Sequence, residues 1–275
     1  MTTPPIRKGY ADTPRGQIHF RRCRPDNASR ALVVMHWSPG SGRMYEPFMP
    51  GFAARGYDVV APDLPGMGRS DARDGDWAIA DFADTIAAAL TALDLSDICL
   101  VAGHMSAAVG TEMILRHPGL VAKVVLDGSP AWTEEERAAI LKRIGLAKPS
   151  LQADGSHKTL PWDRAVFALT EWDNTFEVTD DNLLDVYLMA VDYLEMRFET
   201  PAGAIGRYKL TERLPELDLP VLALTADNEI LRKQHDTVLS LVKGCAGHSF
   251  PGSHPLVAPA RAKEYVDVID TFFRA

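Results

Sequence analysis

Ile98-Cys99-Leu100-Val101-Ala102-Gly103-His104-Met105-Ser106-Ala107-Ala108-Val109-Gly110 is the stretch whose reading decides the fold. Its first five residues are a continuous apolar run, the pattern of a strand covered on both faces. Residues 107–117 then adopt helical periodicity, so Gly103 to Ser106 form a tight connection from a buried strand into a helix. The same alternation extends outward in both directions. Residues 17–22 and 31–36 open the chain as strand formers, and residues 57–62 (YDVVAP) read as another buried strand. A helix over residues 77–95 carries Ile79, Phe82, Ile86, Ala89, Leu90 and Leu93 on one face. Strands follow at 123–126 and 220–225, with helices over 233–242 and 259–273. The pattern implies an α/β chain with a mostly parallel central sheet flanked by helices.

The alternation stops between residues 131 and 215. That segment has no convincing strand and reads as helices rich in aromatics. One covers residues 180–198, with Leu183, Leu184, Tyr187, Val191, Leu194 and Phe198 as its apolar positions and Thr179, Asp180 and Asp181 at its start. The organisation expected is a core domain of residues 1–130 and 216–275 with an all-helical cap, 131–215, laid over the carboxyl edge of the sheet. Ligands bind at that edge in open α/β folds.

The 275 residues are 46% apolar and 24% charged, with a formal net charge of -8, a composition that suits a soluble globular chain. Scattered basic residues in an acidic chain leave no footprint for nucleic acid, and the acidity opposes an anionic membrane surface. No apolar run approaches the roughly 20 residues of a membrane-spanning helix. The opening MTTPPIRKGY lacks the apolar stretch of a secretory signal. Cys23, Cys99 and Cys245 are widely spaced, so neither a disulfide framework nor a zinc site is indicated, and a reducing cytoplasm fits. No metal or organic cofactor is implied. The partner expected is a small-molecule substrate; the oligomeric state is left open, with a homodimer among the options.

Four local patterns occur in a fixed order. His36-Trp37-Ser38-Pro39-Gly40-Ser41-Gly42 follows an early strand, and Asp63-Leu64-Pro65-Gly66-Met67-Gly68-Arg69-Ser70-Asp71 follows the next. Gly103-His104-Met105-Ser106-Ala107 joins strand to helix, and Gly252-Ser253-His254-Pro255 precedes the last helix. Together they resemble the α/β-hydrolase superfamily in its capped branch, which includes meta-cleavage hydrolases, lipases and esterases. The resemblance spans nearly the whole chain and departs from the family at the nucleophile elbow, G-x-S-x-G. With Gly103 and Ala107 as the small flanking residues, Met105 takes the nucleophile position. A thioether cannot form the usual acyl intermediate. Ser106 stands one position late; it is a displaced nucleophile or, through its backbone, an oxyanion donor and helix cap.

What the resemblance implies for the rest is more conventional. His254 takes the place of the general base, and Glu229 in Ala226-Asp227-Asn228-Glu229 takes that of its orienting acid, with Asp227 and Asp127 as the other carboxylates to weigh. The amides of Ser38 and Ser106 would form the oxyanion hole. Trp37, His104, Trp132, Trp162 and Tyr187 are candidates to line a largely apolar pocket, although most aromatics at helical spacing serve as core. His104 is expected to point into the fold behind the elbow, and His36 to be a hydrogen-bonded strand end.

The expected activity is therefore that of an α/β-hydrolase-fold enzyme without the standard serine. It would act on a small apolar or aromatic carbonyl compound, an ester, a lactone or a carbon–carbon bond, through a His–acid pair and a backbone oxyanion hole. The alternatives are a lyase, isomerase or oxygenase on the same fold, or a hydrolase homologue that binds a ligand without turnover.

Overall fold

A computed structural model of the chain describes residues 4–71, 75–144, 150–196 and 199–275. Its strands are β1 (Arg7–Thr13), β2 (Gly16–Cys23), β3 (Arg30–Met35), β4 (Tyr57–Pro62), β5 (Ile98–Gly103), β6 (Val121–Asp127), β7 (Val221–Ala226) and β8 (Ala246–Phe250). They form one eight-stranded sheet in the order β1-β2-β4-β3-β5-β6-β7-β8. β1 and β2 make an antiparallel hairpin, β2 pairs antiparallel with β4, and every later pairing is parallel. The interior strands β4, β5 and β7 are buried at every residue and are mainly apolar, with Asp58 of β4 paired to Arg22 and Thr225 of β7 hydrogen-bonded to Glu229.

The helices up to β6 are α1 (Met49–Ala53), α2 (Ile79–Ala92) and α3 (Met105–Arg116). Between β6 and β7 come α4 (Glu134–Ile144), α5 (Leu160–Trp172), α6 (Leu183–Glu195), α7 (Glu199–Arg207) and α8 (Leu210–Arg213); no strand occurs there among the described residues. Then α9 (Arg232–Leu241) precedes β8, and α10 (Ala262–Arg274) closes the chain. Phe82, Ile86, Val109 and Met113 pack one face of the sheet, and Phe52, Tyr265, Ile269 and Phe273 pack the other. At the start of α4, Thr133 and Glu136 exchange side-chain to backbone hydrogen bonds in a capping box.

Two strands do not announce themselves in the sequence. β1 reads RKGYADT and buries only Ala11, and β8 reads AGHSF and buries only Phe250. Both lie at the edges of the sheet, where one neighbour suffices and the apolar alternation that marks a strand is not required.

The parallel strands direct the turns after β3, β4, β5, β6, β7 and β8 to one edge of the sheet. Asp63, just after β4, ties that edge together. Its buried carboxylate accepts hydrogen bonds from Arg21 Nη1 at 2.9 Å, from the Gly42 amide at 2.7 Å and from the Arg69 amide at 3.0 Å, and His19 Nδ1 lies 2.8 Å away. Burial alone would raise its pKa; the His19 bond and the nearby charge of His36 and Arg21 outweigh it and lower the pKa to about 2. A folded-state pKa below the ordinary 3.8 means stability present above pH 3.8 and lost as pH falls toward 2. Asp63→Asn, which leaves Arg21 short of a buried counter-charge, is expected to cost about 3 kcal/mol at pH 7, measured by urea unfolding. The deficit should shrink as the wild-type protein is titrated below pH 4.

Candidate active site

β5 delivers the chain to its carboxyl edge at Gly103, and α3 begins at Met105, so the whole reversal falls on His104. His104 has φ 52° and ψ −122°, and its amide donates to the Asp127 carbonyl at 3.0 Å. A non-glycine residue in that region costs about 1–3 kcal/mol and persists only where its surroundings hold it. The raised apex of the elbow is thus His104, which corrects the sequence register that put Met105 there. Ala102 and Ser106, two positions on either side, are the small residues this apex needs. Gly103 is small for a different reason. A Cβ there would lie 1.9 Å from Nε1 of Trp37, whose indole fills the space over that residue.

The apex imidazole points into the site, not behind the elbow. Its Nε2 lies 2.9 Å from Oε1 of Glu229, while Oε2 of Glu229 accepts from Thr225 Oγ1 at 3.0 Å. A Cβ on Gly128 would stand 2.1 Å from Glu229 Oε1 and 2.8 Å from the His104 ring, so the pair occupies volume that only glycine leaves free. The Trp37 indole stacks on the imidazole at 3.8 Å between centroids and 15° between planes. Trp172, from the end of α5, meets Trp37 edge-on at 5.1 Å and His104 at 5.7 Å. His104 is 7% exposed and His254 is wholly buried.

His254 pairs with Asp127, not with Glu229. Its Nε2 lies 2.9 Å from Asp127 Oδ1, and its Nδ1 accepts the Leu256 amide at 3.1 Å. Tyr265 donates to the other oxygen, Asp127 Oδ2, at 2.7 Å. The assignment of Glu229 as the acid of His254 is therefore corrected: the carboxylate at the end of β6 reaches that ring first. Burial lowers the His254 pKa, but the charge and hydrogen bond of Asp127 outweigh it and raise the pKa overall. A proton on Nδ1 would break the Leu256 bond. Both ring nitrogens are engaged, so His254 offers no lone pair to a substrate in this arrangement.

Ser106 Oγ is buried and donates to the His36 carbonyl, which holds it in the elbow's foundation and removes it as a displaced nucleophile. With His104 at the apex, the amide that follows it belongs to Met105 and not to Ser106. Ser38 stands in the turn after β3, its hydroxyl turned toward Met196 Sδ. His36 anchors that turn, with Nδ1 2.7 Å from the Trp37 carbonyl and Nε2 accepting the Leu64 amide at 2.9 Å. Asp227 accepts from Ser249 Oγ and the Gly252 amide.

Of the predicted pocket residues, Trp37 and His104 meet at the site. Trp132 borders a separate cleft of about 170 Å³ with Glu136, Ile230, Leu231 and Gln234. Trp162 and Tyr187 contact each other at 4.7 Å, and Tyr187 is 56% exposed, so it is not buried as a pocket wall. Trp172 also meets the imidazole, and its position at the end of a helix carries no mark of that role in the sequence. Among the described residues, no cluster of three or more His, Cys, Asp or Glu is arranged to hold a metal ion. No helix there is long and apolar enough to cross a membrane.

Comparisons with known proteins agree with this architecture. A family model described as alpha/beta hydrolase fold matches residues 30–147. A proline iminopeptidase of Lacticaseibacillus rhamnosus is 22% identical across 98% of this chain and 99% of its own. A haloalkane dehalogenase of Psychrobacter cryohalolentis is 30% identical over 110 residues, 39% of this chain and 36% of that protein. Among solved structures, an esterase from Exiguobacterium antarcticum superposes with a TM-score of 0.79 at 16% identity, covering 98% of this chain and all of that one. The enol-lactonase of Burkholderia xenovorans LB400 gives 0.76 at 16% identity, covering 97% and 100%. The chain has the α/β-hydrolase fold.

One further carboxyl touches the turn that carries Ser38. Asp192 of α6 is buried, and its Oδ2 accepts from Ser41 Oγ at 2.9 Å. Its Oδ1 has no hydrogen-bond partner and lies 3.6 Å from Arg43 Nη2. Burial raises its pKa to about 6, against the opposing influence of Arg43 and Ser41. A carboxyl with a folded-state pKa above its ordinary 3.8 stabilises the fold most at low pH, and that contribution is lost as pH rises from about 4 to 6. Asp192→Asn is expected to remove this fall, worth at most about 3 kcal/mol. Urea unfolding of both proteins at pH 4, 5, 6 and 7 measures the difference.

Proposed function

We propose that this α/β-hydrolase-family enzyme hydrolyses a small apolar or aromatic carbonyl compound, an ester or lactone, with His104 as the general base. Glu229 accepts a hydrogen bond from Nε2–H, which fixes the tautomer and leaves the lone pair on Nδ1. Nδ1 takes a proton from a water as that water's oxygen bonds to the substrate carbonyl carbon. The electron pair displaced onto the carbonyl oxygen is met by the amides of Met105 and Ser38. Collapse of the tetrahedral species expels the alkoxide, which takes the proton back from the imidazolium. The observation that carries this reading is an imidazole, not an oxygen or sulfur nucleophile, on the elbow's apex, with its acid 2.9 Å away. The indoles of Trp37 and Trp172 suit an apolar acyl or aromatic group. The esterase and the enol-lactonase among its structural neighbours lend the substrate class.

A second reading uses the same pair differently. Without a covalent nucleophile at the apex, His104 can take a proton from the substrate itself, as a lyase, an isomerase or a cofactor-free oxygenase requires.

The test is a panel of short-chain aryl esters and lactones. His104→Ala should lower kcat/KM at least 100-fold with the far-UV spectrum and Tm retained, in line with the usual worth of a positioned base. Glu229→Gln should fall between the two, and a fluorophosphonate probe should leave no adduct on serine. Label from H₂¹⁸O in the product acid supports hydrolysis; its absence, with turnover intact, favours the second reading. Activity kept in His104→Ala and lost in His254→Ala would overturn the assignment of the base.

A further inference from the structure

The helix α6 carries, beside its buried side, a second apolar stripe that the described residues leave largely exposed. Val186, Ala190 and Tyr193 are buried. On the adjoining face Leu184 is 67% exposed, Tyr187 56%, Val191 38% and Leu194 55%, and Leu183 adds another 39% beside them. These five side chains present roughly 500 Å² of apolar surface, near the upper end of what a soluble monomer leaves in one patch.

The spacing of the four central residues identifies what covers them. Leu184, Tyr187, Val191 and Leu194 follow the 3-4-3 rhythm of a coiled-coil seam. They are also symmetric about position 189. In an antiparallel pair of identical helices, Leu184 would face Leu194 of the second copy and Tyr187 would face Val191, so one stripe is complementary to itself. A two-fold interface demands that property. A standard interface takes about 800 Å² from each partner, and the stripe supplies more than half of that before its surroundings are counted. Exposed Asp180, Asp181 and Asp185 at the amino end of the helix oppose an anionic lipid surface as the alternative cover.

We propose that the exposed face of α6 is the seam of a symmetric homodimer in which two copies of this helix pack antiparallel. The inference is independent of the chemistry assigned to His104. Sedimentation velocity from 1 to 200 μM should reveal a monomer–dimer equilibrium. Leu184→Glu combined with Leu194→Glu should weaken it at least 100-fold, leaving Tm and the far-UV spectrum unchanged. In a Cys245→Ser background, a chain carrying Leu184→Cys and Leu194→Cys should oxidise to a dimer whose peptides join position 184 of one copy to 194 of the other. Those positions lie about 15 Å apart within one helix, so the link cannot form inside a chain. A monomer at every concentration, a dimer indifferent to the paired glutamates, or links joining 184 only to 184 would overturn the proposal. So would a monomeric protein that co-sediments with phosphatidylcholine vesicles, since the stripe would then be a lipid contact.

Discussion

The Trp37 indole, lying over Gly103 and flat against the His104 ring, is the contact on which the site depends. A side chain at position 103 would occupy the same volume as the indole nitrogen, so the indole enters only because that position is bare. Once there, it closes one face of the imidazole, and Trp172 closes off a second direction. Gly128 makes the complementary allowance, admitting the Glu229 carboxylate and the His104 edge into the remaining space. Two glycines thus make room for an aromatic wall and an ion-pairing acid. The unfavourable backbone at His104 is retained because the side chain it displays is fixed from several sides at once.

Two imidazole–carboxylate pairs result, similar in separation and different in capacity. Each has a nitrogen 2.9 Å from a carboxylate oxygen. His254 also receives the Leu256 amide on its other nitrogen, and Tyr265 caps the far oxygen of Asp127. That network is closed: each strong donor has its acceptor, and the ring is inaccessible. It holds β6, the loop after β8 and α10 together. The His104 pair stands on the elbow itself, beside the Met105 amide. The second ring nitrogen distinguishes the two histidines: that of His254 accepts the Leu256 amide, whereas the role proposed for His104 calls for its counterpart to take a proton.

The alternation of buried strands with amphipathic helices was legible because interior parallel strands are mainly apolar, and β4, β5 and β7 are, apart from Asp58 and Thr225. β1 and β8 escaped because an edge strand can be polar and still pair. At the elbow, the sequence identified the correct turn and missed the apex by one residue. Gly103 and Ala107 flank Met105, and Ala102 and Ser106 flank His104 equally well; the choice between them rests on Trp37, 66 positions upstream, which no local pattern reports. Glu229 was found as an acid of consequence, but its partner was not. Whether Asp127 or Glu229 reaches His254 depends on side-chain reach across adjacent strand ends, and Gly103 pairs directly with Asp127 in the sheet. Tyr187 failed as a pocket residue because helical spacing reports a stripe without saying which way it faces.

The helix α6 connects the site to the outer surface. Its buried side places Asp192 against Ser41, in the turn after β3 that also carries Trp37 and Ser38. Its exposed side carries the self-complementary stripe. Residues on different faces of one helix move as a unit, since the backbone hydrogen bonds between them cost more to distort than a side-chain contact costs to shift. A second copy held along Leu184 and Leu194 would therefore also hold Asp192 against the turn that positions the indole. Ionisation of Asp192 near pH 6 would load the same joint from inside, by placing a negative charge near those of Asp63 and Glu195, which Arg43 at 3.6 Å and the Ser41 hydroxyl oppose. Burial of the outer face and neutrality of the inner one act on the same element, and the geometry of His104 lies one packed layer away from both.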